Sequence, residues 1–277
     1  MLTKPLQDQI LDLVRHKPRT VHEIAQTLQK NWRTANRYIE EIAQEGGLIN
    51  TRTFREGSRG ALKVVYWNAL DHAKGSAYQE RLLQKILASK HKEDFSPFDI
   101  YQFVDETKRQ AFLETSEISV HTPIQFEVLL QRARQQILFF SGNMSWTELH
   151  PTVFEHVEAL AKQKVKIKIL TKVDITSQHY SQKLLDLNLR YGADTIEIRH
   201  CEQPIRGMVI DNEVASLKEV FSPQLYREKE IKGKQFIFYL VQDPEWIGWL
   251  QKVFWHLWGQ SIDAKERLEA INSILHP

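Results

Sequence analysis

The chain has 277 residues, of which 42% are hydrophobic and 26% are charged, and its formal net charge at pH 7 is +2. This balance excludes a disordered chain and suits two modest globular domains. The only cysteine, Cys201, excludes an intrachain disulfide and favours a reducing compartment. The first residues lack a signal-peptide pattern, and no apolar run approaches the roughly 18 residues that span a bilayer. We therefore expect a cytoplasmic protein with no membrane partner.

Residues 1–69 predict three helices followed by a β-hairpin, the order of a winged helix-turn-helix. Thr20 and Glu23 have the spacing of a capping box, in which each side chain accepts a hydrogen bond from the other residue's backbone. Asn31 is a suitable N-cap for a second helix only a few residues later. Two β-prone runs, Leu48 to Phe54 and Leu62 to Trp67, then flank a turn-rich segment.

Positive charge is concentrated in this N-terminal part. Residues 1–68 contain eleven Lys and Arg against seven Asp and Glu, an excess of four, whereas the whole chain has an excess of two. Arg and Asn on an exposed helix can bind guanine and adenine in the major groove, and basic residues on a hairpin can contact the DNA backbone. The alternatives are a solvated charged face that contacts proteins and, for Trp32, a packing role. The candidate DNA-binding residues are Thr20, Asn31, Trp32, Arg33, Asn36, Arg37, Arg52, Arg55, Arg59 and Lys63.

Residues 70–120 predict a helical linker. Its first half has apolar residues at helical spacing, namely Tyr78, Leu82, Leu83, Ile86 and Leu87. A second helix is expected to begin near Ser96-Pro97 and to carry Ile100, Phe103, Val104 and Phe112. The apolar stripe fits either a core within the chain or the seam of a homodimer, which would suit a regulator that binds a two-fold operator.

From about residue 121, helices alternate with apolar strands, which predicts an α/β sheet. Helices are expected over Ile124 to Arg134, Pro151 to Lys162 and Ser181 to Arg190, and a last one after Asp263. The expected strands are "ILFFSGN", "VKIKIL", "DTIEIRH", "GMVID", "EVASL" and "QFIFYLV". The tryptophan-rich helix "PEWIGWLQKVFWHLW" suits a core or an interface better than a membrane anchor, because it lacks a basic polar face.

Three stretches make the chain resemble the archaeal TrmB-like transcriptional regulators: "TVHEIAQTL…RTANRYIEEI", "VKIKIL" after a helix, and "IRGMVID". The resemblance implies a multidomain α+β and α/β protein. Its parts would be a winged helix-turn-helix domain at 1–69, a helical linker or dimerisation segment at 70–120, and a degenerate phospholipase-D-like α/β domain at 121–277. Members of this family bind promoter DNA, and some bind a sugar effector through the C-terminal domain. This chain has no recognisable sugar-contact pattern.

The stretch "PIRGMVID" bears on catalysis. Active phospholipase-D-like enzymes use the motif His-x-Lys, four residues, then Asp, in which the histidine attacks phosphorus. Pro204, Arg206 and Asp211 occupy these three positions here, and proline has no nucleophilic nitrogen. His200 lies four residues too early, and we interpret it as an ordinary surface or strand-end histidine. We therefore expect no enzymatic activity, and the sequence indicates neither a cofactor nor a metal site.

Four residues are candidate ligand contacts: Ser141, Asn143, Arg206 and Asp211. Arg206 and Asp211 could face an anionic or polyhydroxy ligand in the pocket that corresponds to the active site of phospholipase-D-like enzymes. Alternatively, they could form a structural ion pair and a turn. Ser141 and Asn143 follow the first strand, at the carboxyl end where α/β sheets bind ligands, or they belong to an ordinary loop.

The sequence thus predicts a sequence-specific transcriptional regulator that binds double-stranded DNA as a homodimer. Its C-terminal domain would sense a small-molecule effector, such as a sugar or an anion, or mediate assembly. One alternative is a phosphodiesterase or nuclease of the phospholipase-D type, whose N-terminal domain delivers the substrate. Another is an architectural DNA-binding protein or an adaptor between proteins.

Overall fold

The computed structural model describes residues 2–46, 49–55, 61–67, 76–114, 126–223 and 233–275. In the N-terminal module the strands form a sheet in the order β1-β3-β2, with β2 and β3 antiparallel. The three helices and the hairpin expected from the sequence are present in this module. Its elements are α1 (Lys4–His16), β1 (Arg19–Thr20), α2 (Val21–Thr27), α3 (Trp32–Gly46), β2 (Ile49–Arg55) and β3 (Ala61–Trp67).

Local signals determine where α2 and α3 begin. The Glu23 N–H donates to the Thr20 hydroxyl at 3.1 Å, and the Thr20 N–H donates to the Glu23 carboxylate at 2.7 Å. The predicted capping box is therefore formed. The Asn31 side chain accepts from the Thr34 N–H at 2.8 Å and caps α3. The apolar faces of the three helices meet in one core that includes Ile39, because burying these faces removes apolar surface from water.

The large sheet has the strand order β11-β7-β6-β5-β8-β9-β10-β4 in the described part of the chain. Strands β5, β6 and β7 are parallel, and the other neighbours are antiparallel. Its strands are β4 (Arg109–Glu114), β5 (Gln136–Phe140), β6 (Lys166–Thr171), β7 (Ile196–His200), β8 (Gly207–Ile210), β9 (Val214–Phe221), β10 (Gln235–Val241) and β11 (Ile262–Asp263). The helices that accompany it are α4 (Ser76–Ala88), α5 (Phe98–Tyr101), α6 (Phe126–Leu130), α7 (Trp146–Leu149), α8 (Pro151–Lys162), α9 (Gln178–Tyr191), α10 (Pro244–Gln260) and α11 (Ala264–Leu275).

The two faces of this sheet bury different partners. One face packs against α6, α8, α9 and α11 in a single apolar core. The opposite face packs against α4, α5 and α10, and the hairpin of the N-terminal module joins the same core. The ring of Phe54 on β2 lies 6.2 Å, between centroids, from the rings of both Phe98 and Tyr239. The N-terminal module therefore shares a hydrophobic core with the sheet.

The first half of the predicted linker is a helix whose stripe packs within the chain. Leu82 and Ile86 are buried in the core that also contains the tryptophan-rich helix α10. Tyr78, on the same stripe, lies with its ring 4.4 Å from that of Phe103 and 6.5 Å from that of Trp246. Of the two alternatives for this stripe, the structure shows the intramolecular core.

The second half of the linker differs from the prediction. The expected helix covers only Phe98–Tyr101, and Phe112 lies on β4, which is an edge strand of the large sheet. The helix prediction for Phe112 is wrong because β4 pairs with β10 along its length, in register from Arg109 with Val241 to Glu114 with Phe236. Ladder hydrogen bonds with a distant strand thus override the local spacing of apolar residues.

The helix expected over residues 124–134 is also shorter than predicted, since α6 ends at Leu130. The backbone N–H groups of Arg134, Gln135 and Gln136 donate to the carboxylate of Asp211 instead of continuing a helix. A residue far along the chain therefore decides where β5 begins.

Candidate nucleic-acid interface and ligand cavity

The exposed face of α3 carries several of the predicted DNA-binding residues. Asn31, Arg33 and Arg37 are exposed, whereas Ile39 faces the core. Arg33 and Arg37 are one helical turn apart and project from the same side. Trp32 is 36% exposed, and its ring lies 6.2 Å from that of His22, so it is partly packed and partly accessible. Among the described residues, neither Arg33 nor Arg37 is paired with a carboxylate.

Asn36 and Lys63 are bound to Glu40 on the same surface. The Lys63 ammonium donates to Asn36 Oδ1 at 2.8 Å and to Glu40 Oε1 at 2.9 Å, and the Asn36 amide donates to that same Oε1 at 2.9 Å. These hydrogen bonds, the one from Lys63 most of all, lower the pKa of Glu40 below its ordinary value. Because exposed ion pairs contribute only about 0–1 kcal/mol, a DNA phosphate could replace Glu40 as the partner of Lys63.

Thr20 and Arg52, two of the other predicted DNA-binding residues, do not add to this surface. Thr20 is 1% exposed, and its hydroxyl caps α2. Arg52 lies with its guanidinium 5.0 Å from the ring centroid of Tyr101, so it contacts α5. The side chain of Arg55 and the whole of Arg59 lie outside the described residues. Among the predicted DNA-binding residues whose side chains the structure describes, the exposed arginines are thus on α3.

A cavity of about 340 Å³ lies on the large sheet, between the strands β4, β9 and β10 and the helices α6, α7 and α8. Three of the four predicted ligand contacts, Ser141, Asn143 and Arg206, line it. Ser141 and Asn143 follow β5, so they lie at the carboxyl end of a parallel strand, as expected for a ligand site in an α/β sheet.

Ser141 and Asn143 shape the loop that borders the cavity. The Met144 N–H donates to the Ser141 hydroxyl at 3.2 Å, and the Ser145 N–H donates to Asn143 Oδ1 at 3.2 Å. The buried Gln203 donates from its amide to the Ser141 carbonyl at 3.1 Å and so joins the segment before β8 to the end of β5. Sequence reasoning missed Gln203, because a glutamine in a loop carries no local signal of this role.

Arg206 is held rigidly at the cavity edge. Its Nη1 donates to the carbonyls of Gln203 and Ile205 at 2.8 and 2.7 Å. A β-carbon on Gly142 would lie only 3.0 Å from its Nε, so the absence of a side chain there makes room for the guanidinium. Burial lowers the pKa of Arg206, but arginine stays charged because its ordinary pKa is so high. No carboxylate among the described residues forms an ion pair with it.

The structure corrects the prediction that Asp211 shares a site with Arg206. The two residues lie at opposite ends of β8, and Asp211 is neither in the cavity nor in an ion pair with Arg206. Its carboxylate instead accepts three backbone N–H groups at the start of β5, from Arg134 at 2.8 Å, Gln135 at 3.0 Å and Gln136 at 2.7 Å. Asp211 is therefore a structural residue that positions β5.

Two further features concern possible chemistry. His200 is the last residue of β7, and its Nδ1 accepts a hydrogen bond from the Val173 N–H at 2.9 Å, as suits an ordinary strand-end histidine. Within the described ranges, no group of three or more His, Cys, Asp or Glu side chains is arranged to hold a metal ion.

No helix in the same ranges is both long enough and apolar enough to cross a membrane.

Comparison with known proteins gives only remote similarities. No protein-family model and no curated protein matches the chain. Among solved structures it is similar to TrmBL2, an archaeal chromatin protein with a novel mode of DNA binding, at 13% identity over 94% of each chain and a TM-score of 0.39. It is also similar to the phospholipase D family member Nuc from Salmonella typhimurium, at 14% identity, and to NucT from Helicobacter pylori, at 11% identity. Each of these covers 56% of this chain and 98% of its own, with TM-scores of 0.40 and 0.39.

Proposed function

We propose that the protein binds double-stranded DNA through the exposed face of α3. Helices α2 and α3, joined by a short turn and followed by the hairpin β2–β3, have the element order of a winged helix-turn-helix, with α3 in the position of the recognition helix. The observation that carries the proposal is that Arg33 and Arg37 project from one side of α3 without a carboxylate partner in the described part of the chain. A guanidinium placed in this way can give two hydrogen bonds to guanine or bind a phosphate.

We further propose that this binding is sequence-specific and serves transcriptional regulation, with the cavity domain as the sensor. The hairpin shares a core with the sheet that forms the cavity wall. A ligand-dependent shift of the sheet would therefore reach the hairpin, and through it α3. A homodimer would place two copies of α3 in half-sites about one helical turn of DNA apart.

The proposal includes no catalysis. Pro204 stands where a phosphorus-attacking histidine would be needed, and it has no nucleophilic nitrogen. Among the described residues that line the cavity, His150 is the only histidine, whereas the phosphodiesterase mechanism uses two. We expect no turnover of bis(p-nitrophenyl) phosphate, and turnover that Arg206→Ala abolishes would contradict this part of the proposal.

The test of DNA binding is the selection of bound fragments from a random duplex pool with the full chain. An enriched two-fold sequence is expected, and the affinity for it should fall steeply with salt, because each phosphate contact releases a counterion. Arg37→Ala should weaken the free energy of binding to the selected site by about 1–3 kcal/mol, and it should weaken binding to random DNA by less.

The control variant is Arg132→Ala, which changes a half-buried arginine between α6 and β5 that pairs with Glu213, and it should leave the affinity for DNA unchanged. Equal losses of Arg37→Ala on selected and random DNA would contradict base recognition by Arg37. If the full chain does not bind duplex DNA at low salt, the proposed function is wrong.

A further inference from the structure

The cavity wall has a defined chemical pattern, which follows from strand register. Successive side chains of a strand point to opposite faces, so every second residue of β9 faces the cavity. One of them is Lys218, which pairs in register with Phe238 on β10, and Phe238 pairs with Phe112 on β4. All three line the cavity. A row across the wall therefore begins with an ammonium group and continues with two aromatic rings.

Lys218 also has a cationic neighbour on its other side. The Lys218 N–H donates to the backbone carbonyl of Arg206 at 2.7 Å, and both side chains line the cavity. A negative group bound near both side chains would be attracted by two positive charges.

The guanidinium of Arg206 is already prepared for such a group. Its Nη1 is occupied by two backbone carbonyls, whereas Nε and Nη2 have no acceptor among the described residues. Because the carbonyls fix its orientation, little side-chain freedom is lost when an anion binds. Two acids also line the cavity, and one of them, Glu114, pairs in register with Phe236, whose ring centroid lies 5.6 Å from the Lys218 ammonium. Glu114 is at the end of β4, and Glu127 accepts a hydrogen bond from the Thr152 hydroxyl at 2.9 Å.

We propose that this cavity binds a small organic anion. Its carboxylate or phosphate group would lie against Arg206 and Lys218, and its apolar body would lie against Phe238 and Phe112. The cavity volume of about 340 Å³ suits a compact ligand, near the lower end of the range of about 300–1,000 Å³ for small-molecule sites. Such binding would serve the ligand-sensing part of the proposed function, and its role in regulation rests on that proposed function. The binding of the anion itself does not require DNA binding.

The test uses the full chain and two fluorescent probes with the same aromatic body. The first, 1-anilinonaphthalene-8-sulfonate, is an anion, and the second, N-phenyl-1-naphthylamine, is neutral. The anionic probe should bind saturably at one site per chain and more tightly than the neutral probe. Phenyl phosphate and benzoate should both displace it, whereas inorganic phosphate and maltose should displace it poorly. A neutral probe that binds as tightly as the anion, or displacement by maltose alone, would overturn the proposal.

Variants then assign the binding to the cavity. Arg206→Gln should weaken the anionic probe about tenfold or more and leave the neutral probe nearly unchanged, because only the charged contact is lost. Gly142→Ala keeps the charge but places a methyl group 3.0 Å from Arg206 Nε, so it should also weaken the anion. It is the deciding variant if Arg206→Gln does not fold. The matched control, Arg132→Gln, should behave like the unchanged protein.

If the anionic probe binds both Arg206→Gln and Gly142→Ala with unchanged affinity, then its binding site lies outside this cavity and the proposal is overturned. DNA affinity of the same samples, measured separately, distinguishes failure of the ligand site from failure of the proposed DNA binding.

Discussion

Substitution of Asp211 by alanine should destabilise the fold while leaving the cavity chemistry intact. In the structure, Asp211 Oδ1 accepts from the N–H groups of Gln135 and Gln136 at 3.0 and 2.7 Å, and Oδ2 accepts from that of Arg134 at 2.8 Å. The Gln136 bond is partly buried and the other two are exposed, so water can replace part of what is lost. We assign about 1–2 kcal/mol of stability to the bond from Gln136 and about 0.5 kcal/mol to each of the bonds from Arg134 and Gln135.

The backbone of Asp211 adds a further contribution. Its φ of 48° lies in the left-handed region, which aspartate and asparagine tolerate better than alanine, by roughly 1 kcal/mol. Asp211→Ala should therefore lower the free energy of unfolding by about 3–4 kcal/mol. Asp211→Asn should lower it by only about 1 kcal/mol, because its amide oxygen can keep the two bonds made by Oδ1 and its backbone preference is retained.

Urea denaturation followed by circular dichroism measures both losses, and titration with the anionic probe measures the cavity. Asp211→Ala, below its unfolding transition, should bind the probe with unchanged affinity, whereas Arg206→Gln should lose probe affinity. If Asp211→Ala is as stable as the unchanged protein but loses the anion, then Asp211 is a ligand contact and the structural role assigned to it is wrong.

Three other changes test separate parts of the molecule. Glu40→Gln removes the acid that engages Lys63, so it should tighten DNA binding severalfold, by about 1 kcal/mol, in a low-salt fluorescence-anisotropy titration; weaker binding would contradict the assigned surface. Gly207→Ala would place a β-carbon 2.2 Å from the Ser216 carbonyl oxygen on the neighbouring strand β9. It should lower the free energy of unfolding, measured by urea denaturation, by about 2–4 kcal/mol, and an unchanged urea midpoint would refute the close approach. Burial raises the pKa of Glu219 above 4.5, so ionising this carboxyl costs stability as the pH rises above about 4.5. Relative to the unchanged protein, Glu219→Gln should therefore gain stability between about pH 4 and pH 7 in parallel urea titrations, and a constant difference would show that the group does not titrate abnormally.

Several features of the fold could be predicted because their signals are local. The capping box at Thr20 joins residues three apart, and the N-cap at Asn31 acts on the residue three positions later. The predicted helix over Pro151–Lys162 has its observed bounds, and it carries proline in its first turn and buried apolar residues at helical spacing. The alternation of apolar strands with helices likewise predicts the chain order of the strands from β5 to β10 and of the longer helices between them. In each case, a few neighbouring residues contain the whole physical cause.

The candidate sites were predicted less completely. Arg33, Arg37 and Arg206 were identified by residue type and spacing, and the structure places the first two on one exposed helix face and the third in a cavity. Sequence reasoning did not find Glu40 between Lys63 and Asn36, and it grouped Asp211 with Arg206. Both differences involve contacts between residues far apart in the chain.

What the sequence by itself determined is therefore the local content of the chain, its caps, periodicities and turns, together with the presence of proline at position 204. Only the tertiary structure decided which strand Phe112 joins, which backbone groups Asp211 holds and which residues meet in the cavity. The physical reason is the separation of the partners: Glu40 and Lys63 are 23 residues apart, and Asp211 and Gln136 are 75 residues apart. Such contacts depend on the register and packing of whole strands, which no short stretch of residues specifies.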